Sequence, residues 1–434
     1  MQEGKNIGSN LTKFARRTVI NFLKEPNLFA DTDLCVKCGL CVPHCPTYRQ
    51  TQDENESPRG RIALIQAWAK GSLDATPALQ KHIDHCLLCR TCESVCPAQV
   101  PYSKLVDRFR SEVYKTNPPS LARIRSSFYS AILSNKRLGK ITANVAESIR
   151  STKLFPFLSK VVPVPFSISN LLQDFSAGQA RKSLYPASNP RLGQLDLFVG
   201  CTGELFDSAT LHAGIRILNH LGFDVRINRN QVCCGALYLH SGDSFKAREL
   251  AVKNIRAYES CDDPILFIAT GCGVMLKDYP SYFDSSEKFS SRVTEICNFL
   301  IENTAFDQLD LGPLSHDILI HNPCSLANVL KTAVAPKKLV EAIPKARISL
   351  LNNSIRCCGA AGNYMLEHPQ MAAAVRHELI DVITAAKPNH LVTTNIGCAL
   401  HIRAGLREQG QATEVVHPLV LIDRQLNYSR MSGV

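Results

Sequence analysis

The sequence predicts a mixed fold: an α-helical domain around two cysteine clusters, followed by two duplicated α/β domains. Three observations carry this. The motif C-x2-C-x2-C-x3-C-P occurs twice before residue 100. The stretch between its copies has the apolar spacing of a helix. Beyond residue 193, a strand–Cys, strand–Cys-Cys-Gly, strand–Cys order appears twice, at offsets of 123, 124 and 126 residues for the successive cysteines.

Composition sets the frame. The 434 residues are 45% apolar and 20% charged, enough to bury a core in several domains. Eighteen cysteines are many for this length, yet far sparser than in small disulfide scaffolds. Met1–Asn10 shows no apolar stretch with a cleavage site, and no run of 18 or more uncharged apolar residues follows. A cytoplasmic chain is expected, where patterned thiols stay reduced and bind metal or do chemistry.

The first motif is Cys35, Cys38, Cys41 and Cys45, closed by Pro46. The second is Cys86, Cys89, Cys92 and Cys96, closed by Pro97. Three thiolates spaced by two residues wrap one face of a 4Fe-4S cubane, and the fourth, turned by proline, reaches the neighbouring cluster. Cluster one is therefore assigned to Cys35, Cys38, Cys41 and Cys96, and cluster two to Cys45, Cys86, Cys89 and Cys92. Zinc competes, but it favours paired C-x2-C knuckles without a trailing Cys-Pro. Between the motifs, Ile62, Leu64, Ile65, Ala67 and Trp68 follow a helical period, so residues 26–110 read as a helical two-cluster ferredoxin domain. Pro58 suits the start of that helix. Arg59 and Arg61 beside it screen the clusters, meet a partner, or are merely solvated.

A helix is expected over residues 1–25, with Leu11, Phe14, Val19, Phe22 and Leu23 on one face. Residues 111–192 read as a basic, partly irregular connector. They hold twelve Lys or Arg against three acids, most of the chain's net charge of +11. Pro156, Pro163 and Pro165 break the apolar run 154–172. Such a segment suits an anionic membrane surface, a docking partner or a neighbouring domain. Nucleic acid is not expected, because no binding motif accompanies the charge.

The first duplicated domain, 193–310, has strand LDLFVG before Cys201, FDVRIN before Cys233-Cys234-Gly235, and ILFIAT before Cys272. The second, 311–434, has HDILIHNP before Cys324, ARISLLN before Cys357-Cys358-Gly359, and HLVTTN before Cys398. Ligands of open α/β sheets bind at the carboxyl ends of strands, so all eight cysteines are expected at one rim. Adjacent thiolates suit bridged metals or a redox pair, so a further iron–sulfur or zinc site is expected there. Cys261 and Cys297 fall outside every motif and read as ordinary thiols.

This combination, through CVKCGLCVPHCPTY, SPRGRI, CLLCRTCESVCP, VCCGA and RCCGAAGNY, resembles the iron–sulfur subunits of glycolate oxidase. It also resembles related subunits of lactate and glycerol-3-phosphate dehydrogenases and of heterodisulfide reductase. The resemblance implies electron transfer from flavin-containing glycolate oxidase subunits towards a quinone-type acceptor, and the basic connector would place such a cytoplasmic chain peripherally at the inner face of the cytoplasmic membrane. The alternatives are a related 2-hydroxy-acid dehydrogenase subunit or a thiol–disulfide reductase. In the heterodisulfide reductase type the last cysteine opens a C-x-x-C. Here that second position is Met275 in one copy and His401 in the other. The chain shows no dinucleotide fingerprint, nucleophile elbow or zincin motif, so no catalytic residue is assigned and substrate oxidation is expected in a partner.

Overall fold

The computed structural model describes residues 30–116, 121–135, 138–139, 141, 174, 182–351 and 357–427. The helix expected over 1–25 and the run 154–172 lie outside them.

Residues 30–116 are helices and turns. Helix Pro58–Ala69 starts where Ser57 Oγ accepts the Gly60 amide and Pro58 needs no partner of its own. Only glycine fits at 60, because a Cβ would lie 1.9 Å from the Glu54 carbonyl oxygen. The helix buries Ile62 and Ile65 against helix Tyr102–Thr116, whose Leu105, Val106, Phe109 and Val113 recur every three to four residues. Trp68 meets Phe109 edge to face at 4.8 Å. Helix Tyr102–Thr116 runs through the boundary expected at residue 110.

Two sheets follow. In the first, β1 (Leu184–Tyr185), β2 (Gly193–Phe198), β3 (Phe223–Arg226), β4 (Ile265–Phe267) and β5 (Val293–Glu295) lie in the order β1-β3-β2-β4-β5, with only β1 antiparallel. In the second, β6 (Asp317–Ile320), β7 (Arg347–Leu350), β8 (His390–Val392) and β9 (Glu414–Val416) are all parallel, in the order β7-β6-β8-β9. The four parallel strands of each sheet thus share one order, and the duplication is structural. The sequence reading named three strands per copy; β5 and β9 are the fourth.

Both sheets feed one core. Leu195, Leu197, Val225 and Leu266 of the first join Ile318, Ile320, Val392 and Val416 of the second. Helices Ser208–His220 and Pro418–Gln425 pack together between them. Helix Leu121–Ser134, from the basic connector, is held by both copies: Ser134 Oγ bonds Tyr238 OH at 2.8 Å, and the buried Ser130 Oγ accepts from Asn363 at 2.6 Å. This part of the connector packs on the α/β domains. No helix of the described residues is long and apolar enough to cross a membrane.

Candidate metal centre

Each ferredoxin motif bends through two left-handed residues at matching positions. Lys37 and Gly39 have φ of 55° and 86°; Leu88 and Arg90 have 50° and 56°. Turns of this kind aim backbone amides into a concavity suited to anionic sulfur clusters. Cys35, Cys38, Cys41 and Cys96 line one small cavity, bordered also by Cys92. Cys45, Cys86, Cys89 and Cys92 line a second. Both expected sets of four therefore come together, each drawing its fourth thiol from the other motif.

The donor chemistry fits a bound cation. Burial pushes the Cys41 thiol up to about 11 and drives Cys89 and Cys92 well above the ordinary range, with neighbouring thiolates adding repulsion. Thiols that cannot ionise alone become thiolates on a metal.

Arg61 is 1% exposed, so the solvated reading of this arginine fails. Its guanidinium donates to Glu56 Oε2 at 2.5 Å, Thr47 Oγ1 at 3.0 Å and the His82 carbonyl at 2.7 Å, and lies 3.9 Å from Cys45 Sγ. Glu56 also takes His82 Nδ1 at 2.8 Å and His85 Nδ1 at 3.0 Å. Burial pushes Glu56 up, but the His85 and His82 bonds and the Arg61 charge hold it below its ordinary value. A buried, fully paired cation thus stands beside the Cys45 thiol. Arg59, half-exposed, pairs with Glu54 at 2.6 Å and covers the cluster-one loop, its Nη1 reaching the Lys37 carbonyl at 3.4 Å. The SPRGRI turn thus sends one arginine to each set of thiols. Glu56, His82 and His85 were not singled out in the sequence; no motif links them.

In the duplicated domains, Cys201 opens helix Gly200–Phe206 after β2, and Cys272 opens helix Thr270–Asp278 after β4. Cys398 opens helix Ile396–Glu408 after β8, and Cys324 follows β6. β2 and β4, like β6 and β8, are neighbours where strand order reverses, which is where such sheets bind ligands. The Cys-Cys pairs follow β3 and β7. Gly235 and Gly359 complete both turns with φ of 93° and 78°, a conformation that disfavours any side chain.

All eight cysteines, with Cys86 and Cys89, line one cavity of about 330 Å³. Cys201 and Cys233 sulfurs are 3.6 Å apart, and those of Cys358 and Cys398 are 2.7 Å apart. Hydrogen bonds from Cys201 and Cys234 hold Cys233 well below its ordinary value, and a bond from Cys357 lowers Cys324. Asn395 donates to Cys398 Sγ at 3.6 Å. His401 stands one turn beyond Cys398 but outside the cavity lining. Its Nδ1 donates to the Cys358 carbonyl at 2.7 Å, and burial pushes it down to about 4. Met275 is buried in the first copy's core. Neither side chain at the C-x-x-C position therefore supplies a fifth donor to the cavity.

The ferredoxin part grips this cavity. Asn328 Nδ2 donates to the Cys89 carbonyl at 2.8 Å and to Thr91 Oγ1 at 2.9 Å. Arg90 pairs with Asp278 at 2.6 Å, and Arg110 bridges the carbonyls of Ile83, Cys86 and His240.

Two interlaced four-thiol sets joined to a duplicated, cysteine-rimmed α/β pair define an iron–sulfur protein. Comparison with known proteins agrees. The 4Fe-4S dicluster domain family matches residues 31–100, and the cysteine-rich domain family matches residues 195–277 and 318–403. The chain thus carries one 4Fe-4S dicluster domain followed by two cysteine-rich domains. It is 28% identical to the probable glycolate oxidase iron-sulfur subunit of Bacillus subtilis, over 88% of this chain and 90% of the relative. It is 29% identical to the glycolate oxidase iron-sulfur subunit of Escherichia coli, over 90% and 93%. A subunit of the fumarate reductase (CoM/CoB) of Methanothermobacter marburgensis is 24% identical over 92% of this chain and 74% of its own.

Proposed function

We propose that this chain is the electron-transfer subunit of a glycolate-oxidising complex. A flavin-containing partner subunit converts glycolate to glyoxylate, and this chain conducts the electrons towards a quinone-type acceptor. Cys35, Cys38, Cys41 and Cys96 hold one 4Fe-4S cluster, and Cys45, Cys86, Cys89 and Cys92 the other. When bound, such clusters take up and release single electrons. The residues of the chain do the rest. Arg61 and the left-handed turns offset negative charge at the thiols, and the packed helices keep water from cluster two. The cluster-one loop is the accessible end, with Cys38 exposed and Val36 and Leu40 beside it at 72% and 57% exposure.

The observation that carries the reading is the shared cavity: Cys89 of the second set stands against Cys324 and Cys357 of the duplicated domain. The relatives supply the substrate class. The test is glycolate-driven quinone reduction by the purified complex carrying Cys38→Ser or Cys89→Ser. Both variants are expected to lose it; normal turnover in either would show that the relay is not used.

A further inference from the structure

Outside the sixteen cysteines of the two iron–sulfur and thiol regions, the described residues bring two other sets of potential metal ligands together. One is Asp196, Cys261 and Asp263. It is already filled: Arg226 Nη2 lies 2.7 Å from Asp196, 2.8 Å from Cys261 Sγ and 3.0 Å from Asp263. A guanidinium at the centre leaves no place for a cation.

The other set is different. Glu295 ends β5, Cys297 is the second residue of helix Ile296–Asn303, and His417 follows β9 to cap helix Pro418–Gln425. Glu295 and His417 thus sit at corresponding strand-to-helix junctions of the two copies and meet across their interface. Each uses one atom as a cap: Glu295 Oε2 accepts the Asn298 amide at 2.8 Å, and His417 Nδ1 accepts the Leu419 amide at 3.2 Å. The Glu295 carboxylate also meets the amide and thiol of Cys297, and His417 Nε2 is buried without a hydrogen-bond partner. Cys297 is 0% exposed, Glu295 3% and His417 6%, and their donor atoms lie within 4.8 Å of one another. Leaving the His417 nitrogen unpaired in a core costs about 1–3 kcal/mol, and a partner shared with the adjacent carboxylate and thiol would remove that cost.

We propose that Glu295, Cys297 and His417 bind one zinc ion between the two cysteine-rich domains. The charges favour it: carboxylate, thiolate and neutral imidazole with a divalent cation sum to zero, so the site buries without net charge. The ion type follows from the donors. Magnesium and calcium take oxygen only, whereas zinc accepts thiolate, imidazole and carboxylate together in tetrahedral geometry. The fourth position goes to a water. Since His417 Nδ1 already accepts from the backbone, Nε2 is the ligand atom, and the cap fixes the ring for it. The role is structural, pinning the end of one sheet to the end of the other.

The test uses the full chain purified with its iron. Elemental analysis is expected to find about one zinc per chain, and zinc-edge X-ray absorption a shell of one sulfur and about three nitrogen or oxygen donors. Cys297→Ala and His417→Gln are expected to lose that zinc while the iron content stays unchanged. Three results would overturn the proposal: no zinc in the wild-type protein, a zinc shell with several sulfurs (which places the ion in the cysteine cavity), or zinc retained in both variants. Should either variant fail to fold, the absorption spectrum of the wild-type protein decides alone.

Discussion

The two cysteine-rich copies share strand order, cysteine positions and the left-handed glycine of the Cys-Cys-Gly turn, yet they meet the ferredoxin part differently. Four residues after Cys201 the first copy has Leu205, which is buried in a hydrophobic core. Four residues after Cys324 the second copy has Asn328, which bonds the Cys89 carbonyl. The first copy's chain forms an α-helix there, Gly200–Phe206; the second's widens into a π-helical turn, Ser325–Leu330. Such turns concentrate at functional sites. The first copy holds the ferredoxin part through side chains remote from its thiols, such as Asp278. The duplication therefore carries two equivalent thiol sets, and the departure from symmetry accompanies the one whose Cys324 and Cys357 stand against Cys89.

That asymmetry can be broken experimentally. Cys324→Ser, which alters the thiol beside Cys89, is expected to slow quinone reduction by the complex at least about tenfold more than Cys201→Ser, a barrier difference of about 1.4 kcal/mol. Equal effects would make the two copies functionally equivalent. Arg61→Met is expected to cost about 3–5 kcal/mol of holoprotein stability in chemical denaturation, because it leaves Glu56 buried with only histidine partners. Its disturbance belongs to the Cys45 side, so reduced-state spectra of cluster two shift while those of cluster one persist. Gly235→Ala and Gly359→Ala compare the copies directly. Both strain a left-handed turn, at about 1–3 kcal/mol. Gly359→Ala is expected to cost more, since its Cβ would lie 2.4 Å from the Ala372 carbonyl oxygen against 3.1 Å from that of Ala247 for Gly235. Asn328→Leu makes the second copy resemble the first. It is expected to cost about 1 kcal/mol in the unfolding midpoint with iron content unchanged. The smallest effect is the Arg90–Asp278 pair, partly exposed at 23% and 26%: a double-mutant cycle with Arg90→Gln and Asp278→Asn is expected to give coupling below about 1 kcal/mol.

Much of this was legible in the sequence because cysteine chemistry is written as spacing. The C-x2-C-x2-C-x3-C-P runs announce the interlaced sets, and the offsets of Cys201, Cys233 and Cys272 against Cys324, Cys357 and Cys398 announce the repeat. What escaped has physical reasons. β5 and β9 are short, carry Glu295 and Glu414 in place of a continuous apolar run, and lead to no cysteine of the repeated pattern, whereas the equally short β4 and β8 are followed by Cys272 and Cys398. Arg61 reads as a surface residue, since charged side chains are buried only when paired, and its partner Glu56 looks equally ordinary five residues earlier. Glu56, His82 and His85 form one network through tertiary packing alone. Asn328 and Glu295 sit among residues of no distinctive type, and their neighbours come from remote parts of the chain.

The interlacing of the first two thiol sets has a consequence for biosynthesis. Cys96 completes the set begun at Cys35, and Cys45 completes the set that closes at Cys92. During translation, neither set has four donors until the second motif has left the ribosome. On the proposed assignment, a chain stopped after Cys45 offers each cluster an incomplete cage, and four donors per cluster exist only once the whole ferredoxin segment is present. On the same assignment, loss of either motif removes ligands from both clusters, so the two fail together.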